Sequence, residues 1–172
     1  INALQHASQS GNIGAVKLLL QAGDKNNVDL ESTGKGSLTA LCLAINADQP
    51  AVVEALLDAG ANPNFAKSNS GTTAVMFSIT GNISTTSNAK ETSCLKLLLA
   101  KNPELNVRNK SHGWTALCVA ARNSSEAVKL LLDAGADPNL ECAAGTLSNS
   151  EKRCGATALF FASEQGDDSA VK

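Results

Sequence analysis

A chain of 172 residues, 43% of them apolar, is long and hydrophobic enough to bury a core, which excludes a disordered polymer. A formal charge of −2 supplies no basic stripe for phosphates, and no run of about eighteen apolar residues is present to cross a bilayer, so nucleic acid and direct membrane insertion are set aside. With four Phe, one Trp and no Tyr, the core must be filled by Leu, Ala, Val and Ile from many small, closely packed elements.

The first predicted element, NALQHASQ, places Ala3, Leu4 and Ala7 at helical spacing, and after Gly11 a second helix, AVKLLLQAG, begins. Two short helices joined by a tight turn make a hairpin. The hairpin recurs as TALCLAINADQP with AVVEALLDAG, as TAVMFSITGN with CLKLLLAKN, as TALCVAARNSS with EAVKLLLDAG, and as TALFFASEQGD with AVK. Each later copy opens on a threonine, Thr39, Thr73, Thr115 or Thr157, whose hydroxyl can accept a backbone N–H at the helix start. Two residues earlier stands Ser37, Gly71, Gly113 or Gly155, which predicts a turn just ahead of the cap.

The best-formed second helix is EAVKLLLDAGADPN, from Glu126 to Asn139. Its three successive leucines cover more than one narrow stripe, so the helix is expected to be buried on several sides. Gly135 supplies the left-handed conformation that closes a helix, and Pro138 cannot extend it. Related stretches run from Asn12 to Asp29, from Ala51 to Asn64 and from Cys94 to Asn106. A helix recurring with its stop signal marks a repeat array.

Gly113-Trp114-Thr115-Ala116-Leu117 with Ala120-Ala121, then Ala127 to Leu132 and Gly135-Ala136-Asp137-Pro138-Asn139, resembles the ankyrin repeat, and the likeness extends along almost the whole chain. The resemblance implies a mainly α repeat solenoid, a stack of antiparallel helix pairs linked by β-turn fingers, each repeat about 33 residues long. The expected divisions are residues 1–30, 31–64, 65–107, 108–140 and 141–172, within a single domain. Three departures from the family pattern stand out. Ala replaces the usual Pro after Thr in the four later repeats. The usual His is Gln5, Cys42, Met76, Cys118 or Phe160, so these positions are expected to be held by packing rather than by hydrogen bonds. Insertions rich in Ser, Thr and Asn lengthen the third repeat around Ile83 to Glu91 and the fifth finger around Cys142 to Arg153, with a smaller excess near Asp24 to Lys35.

Catalytic constellations are scarce. His6 falls on a first helix and reads as structural, and a Cys118–His112 nucleophile and base is disfavoured because Cys118 faces the packed side of its helix. Gly34-Lys35-Gly36-Ser37 lacks the earlier glycine of a phosphate-binding loop and reads as a finger turn. Cys142 and Cys154 flank the long finger without the spacing of a zinc site and read as incidental thiols. Cys42 and Cys118 share one repeat position and Cys94 begins an apolar helix, which reads as buried, reduced thiol in an intracellular, cytoplasmic protein. No enzyme activity, metal, cofactor or small-molecule substrate is expected.

In the ankyrin family partners commonly lie across the finger tips and the exposed face of the first helices. The resemblance therefore implies a protein–protein interaction module whose candidate contacts are Lys67, Ser68, Asn69, Thr72, Lys110, Ser111, His112, Trp114, Arg122 and Asn123, joined by Glu151, Lys152 and Arg153. Trp114 is the sharpest of them, as an anchor for a partner or as a cover for the neighbouring finger. The alternative is a targeting or regulatory segment of a larger enzyme, effector or channel. Because the chain opens on Ile1 and stops at Ala170-Val171-Lys172, where other copies proceed to leucines, a longer parent protein is expected.

Overall fold

The computed structural model describes residues 1–26, 29–33, 38–65, 70–80, 92–142 and 157–165, the side chains at 23–26 and 164–165 excepted. Local chemistry starts the first helix of each pair. Asn2 opens α1 (Ala3–Gln9) with a reciprocal capping box: its side chain accepts from the Gln5 N–H at 2.8 Å, and the Gln5 side chain accepts from the Asn2 N–H at 2.9 Å. The corresponding helices are α3 (Ala40–Asn46), α5 (Ala74–Thr80) and α7 (Ala116–Asn123). Each begins on the predicted threonine. The hydroxyls of Thr39, Thr73 and Thr115 accept from the N–H groups of Cys42, Met76 and Cys118, each at 3.3 Å. Helix α9 (Ala158–Gln165) follows Thr157.

The second helices are α2 (Ile13–Asn26), α4 (Pro50–Asp58), α6 (Ser93–Leu99) and α8 (Ser125–Asp133). Pro50 occupies the first position of α4, where its missing N–H is not needed. After α8 the chain turns at Gly135, φ 90°, and the N–H groups of Gly135 and Ala136 donate back to the carbonyls of Leu132 and Leu131, both at 2.9 Å. At the same place in the third repeat stands Asn102, φ 51°, a residue type that tolerates the left-handed region. Helix α2 differs from its copies, running through Gly23 to Asn26 instead of stopping at the glycine. The residues after Gly23 lack the proline found at Pro63 and Pro138, so nothing steric ends the helix there.

The helices stack in two rows. One row places α1 on α3, α3 on α5, α5 on α7 and α7 on α9; the other places α2 on α4, α4 on α6 and α6 on α8. Within each repeat the two rows meet, α1 with α2, α3 with α4, α5 with α6 and α7 with α8. The core between them is one continuous cluster from Leu4 to Ala162, with Leu41, Ile45, Val52, Val53, Leu56, Met76, Leu95, Leu98 and Leu131 among its fully buried members. A repeat of two short helices cannot enclose its own apolar face, and stacking supplies the missing walls.

Three expectations are corrected by this packing. The leucine run of α8 is buried on one side only: Leu131 is inaccessible, Leu130 is half-buried, and Leu132 is 42% exposed. The second row has solvent on its outer side, so the third leucine has no wall to meet. Gln5, expected to be held by packing alone, donates through Nε2 to the carbonyls of Ser32 at 2.7 Å and Leu38 at 3.2 Å, tying α1 to the following finger. Cys118 and Cys142 are not reduced or incidental thiols but form a disulfide across 24 residues of sequence. Both are buried because the stack seats the start of the fifth finger against α7, a proximity that cysteine spacing does not reveal. Cys42 and Cys94 are buried in the core, and Cys94 Sγ lies 3.6 Å from an Asp48 carboxylate oxygen.

Candidate functional site

The finger that precedes α7 is built around Asn109. Its backbone closes the tip, with Asn109 N–H donating to the Trp114 carbonyl and Gly113 N–H donating to the Asn109 carbonyl, both at 2.9 Å. Its side-chain Oδ1 accepts from the N–H groups of His112 and Trp114, both at 3.0 Å. Gly113, φ 64°, provides the left-handed residue that the turn requires. Asn109 is 9% exposed, and substitution by Ala strands two backbone donors. Asn109→Ala is accordingly expected to lower the unfolding free energy by about 1–3 kcal/mol, measured by urea denaturation, whereas Asn109→Asp, which keeps the acceptor, loses less.

Among the described residues, neighbouring repeats are tied together through their fingers. At the tips, Lys110 N–H and Ser111 N–H donate to the Ser70 carbonyl at 2.8 and 3.3 Å. At the bases, Asn64 accepts from Glu104 N–H at 2.7 Å and Asn106 from Asp137 N–H at 3.0 Å, each in the next repeat, and within the second repeat Glu31 accepts from Asn62 N–H at 2.8 Å. These ties are not apparent in the sequence, because their partners lie 31 to 40 residues apart. For two of them, the recurrence of Asn64 and Asn106 at one repeat position is the signal that could have found them.

The finger tip and the first-row helices meet in an aromatic cluster. The Trp114 ring lies 5.4 Å from Phe161 of α9 and 5.6 Å from His112, and Phe161 meets Phe160 edge-on at 5.8 Å. The Arg122 guanidinium, at the end of α7, sits 5.1 Å from the Trp114 centroid and 5.9 Å from that of Phe161. Trp114 is half-buried and packed against the next helix, while Arg122, His112 and Lys110 are exposed.

Of the sequence-predicted contacts, Lys110, Ser111, His112, Trp114 and Arg122 are brought together at this end of the stack. Ser111 Oγ lies 2.9 Å from His112 Nδ1. Asn123 donates its side-chain amide to the Val119 carbonyl of its own helix at 2.6 Å, and Thr72 Oγ1 is hydrogen bonded to Ser70 Oγ at 2.8 Å. Lys67, Ser68, Asn69, Glu151, Lys152 and Arg153 lie outside the described residues, as do Ile83 to Glu91, the Gly34 to Ser37 turn and Cys154. The sequence reading missed Phe160 and Phe161 as part of the cluster; paired aromatics beside Thr157 in an aromatic-poor chain were the available signal.

The chemistry at the site is that of recognition. Cys118 is engaged with Cys142, so it offers no thiolate to His112. Among the described residues no three His, Cys, Asp or Glu side chains converge as a metal cage, and no helix is long and apolar enough to cross a membrane. On the opposite row, hydrogen bonds from the Thr92 hydroxyl at 2.8 Å and the Lys96 ammonium at 3.2 Å hold the exposed Glu126 carboxyl below the usual carboxylate range.

A stack of capped helix pairs with tied fingers is the architecture of ankyrin repeats, and a model of that family, described as ankyrin repeats in three copies, matches residues 4–87 and 68–142. The chain belongs to the ankyrin repeat family, whose members are generally protein–protein interaction modules. It is similar to the Caenorhabditis elegans "Ankyrin repeat and KH domain-containing protein mask-1", with 35% identity over 137 residues that make up 79% of this chain and 5% of that protein. The chain thus spans a small fraction of that relative's length.

Proposed function

We propose that this array binds a partner protein through the finger tips and the exposed face of its first-row helices, with the surface around Trp114 at the centre. The observation that carries the reading is the convergence of His112, Trp114 and Arg122 from a finger and a helix end into one partly exposed cluster. The capped, mutually tied fingers support it further, since a pre-formed surface loses little conformational freedom on association. The reading is non-enzymatic, and the engagement of Cys118 with Cys142 supports it against a nucleophilic role.

Simultaneous replacement of Trp114, His112 and Lys110 by Ala is expected to abolish capture of the partner by the immobilised chain, with the helical circular dichroism spectrum retained. Unchanged capture with an intact fold would remove this surface from consideration. A second reading makes the array a targeting or regulatory segment of a larger protein. It draws support from the much greater length of the mask-1 relative, and the coding sequence flanking Ile1 and Lys172 tests it directly.

A further inference from the structure

The finger and first-row helix that carry His112, Trp114 and Arg122 bear charges of one sign. From Leu105 to Ser125 the sequence holds Arg108, Lys110 and Arg122 and no Asp or Glu, although the chain as a whole carries −2. All three cations are exposed, and His112 lies among them. Among the described residues, the ion pairs join Lys96 to Glu126 and Lys101 to Asp58, both away from this surface, and no carboxylate pairs with Arg122.

Arg122 is also held in place. With its Cζ over the Trp114 ring at 5.1 Å and the Phe161 ring at 5.9 Å, the guanidinium gives up part of its rotamer freedom within the fold, before any partner arrives. A guanidinium carries five N–H donors in a planar fork whose geometry matches a carboxylate, and no described carboxylate occupies that fork in Arg122. Beside it lies the half-buried Trp114 ring, and Phe160, 39% exposed, meets Phe161 at 5.8 Å. A pinned cation with an aromatic shelf next to it is complementary to a carboxylate followed closely by an apolar side chain.

Building on the partner-protein reading above, we infer that this surface recognises an acidic peptide segment, with an Asp or Glu on Arg122 and a neighbouring apolar side chain against Trp114. Arg108 and Lys110 add attraction along the finger for further acidic residues, which raises the association rate more than it slows release. Phosphate of a nucleic acid could use the same cations, but three of them on a net acidic chain do not form the continuous stripe a polyanion needs.

The test is a random twelve-residue peptide library displayed on phage and selected on the intact 172-residue chain, followed by binding measurements with the best enriched peptide labelled with fluorescein. The expected result is enrichment of Asp or Glu within a few residues of Leu, Phe or Trp. Arg122→Glu should weaken the labelled peptide by about tenfold or more, Lys110→Glu should weaken it less and chiefly at low salt, and exchanging the peptide's acid for Lys should restore binding to the Arg122→Glu chain.

Lys110→Glu leaves the Trp114 packing untouched, so it reports on charge even where Arg122→Glu disturbs the cluster. Enriched peptides that are neutral or basic, sensitive to Trp114→Ala but indifferent to Arg122→Glu, would overturn the acidic assignment and leave the binding surface standing. Peptides indifferent to Trp114, Arg122 and Lys110 alike would overturn both. A labelled twenty-nucleotide single-stranded oligonucleotide that binds more tightly than the best peptide and loses binding with Arg122→Glu would assign the cations to phosphate and likewise overturn the proposal.

Discussion

Leu131→Ala is expected to destabilise the array by about 2–5 kcal/mol, while Leu132→Ala beside it changes stability by no more than about 0.5 kcal/mol. The two residues share a side chain and a helix, and they differ in what surrounds them. Leu131 is fully buried between α8 and the core, so truncation removes its transfer free energy and leaves a cavity that the surrounding helices fill only in part. Leu132 is 42% exposed and loses little on truncation. Because a domain of this size is stable by only about 5–15 kcal/mol, the first change removes a substantial share of the whole. Urea unfolding followed by circular dichroism measures both variants, and equal losses at the two positions would sink the one-sided packing of the second-row helices.

Gly71→Ala is expected to cost roughly 2–4 kcal/mol, from the combined effects of a left-handed backbone and a steric conflict. Gly71 has φ 64°, and a Cβ built there would lie 2.8 Å from the backbone nitrogen of Lys110 and 2.9 Å from its Cγ. The Lys110 side chain can swing away, but its backbone is held by the hydrogen bond to Ser70. Gly60→Ala is the matched control: φ there is 93°, yet nothing lies within 4 Å of the added carbon, so only the conformational cost of about 1–2 kcal/mol applies. Amide hydrogen exchange at Lys110 and Ser111 should accelerate in Gly71→Ala and stay unchanged in Gly60→Ala. An equal effect of the two substitutions on stability and exchange would argue against a steric origin in the contact between neighbouring fingers.

Substitution at Gly71 is expected to affect the proposed binding surface as well as stability. The finger that carries Lys110, Ser111, His112 and Trp114 is positioned by Asn109 within itself and by Ser70 from the neighbouring finger. A residue added at Gly71 therefore acts on the proposed binding surface without touching a partner. The Cys118–Cys142 disulfide works in the same region, fixing the start of the fifth finger to the helix that bears Arg122.

Much of the fold was legible because its determinants are local. A threonine capping its own helix within three residues, a glycine closing the helix it follows, and a proline that cannot continue it act over a few residues, and their recurrence along the chain showed the repeat. Where one of these signals was missing, as with the proline absent after Gly23, the helix end shifted accordingly. The candidate finger residues His112 and Trp114 were legible for the same reason, since the turn that presents them is encoded within a few residues of the sequence.

What the sequence by itself determined was the helix pairs, their caps, the repeat and the family to which it belongs. Only the tertiary structure decided that Leu98 and Leu131 are the buried leucines of their runs, that Gln5 spans two repeats, that Cys118 meets Cys142, and that Arg122 rests on Trp114 and Phe161. The physical reason is one of range. Caps and stops are hydrogen bonds and steric limits between near neighbours in the chain, whereas burial, disulfide pairing and cation–aromatic contact depend on how each repeat is set against the next.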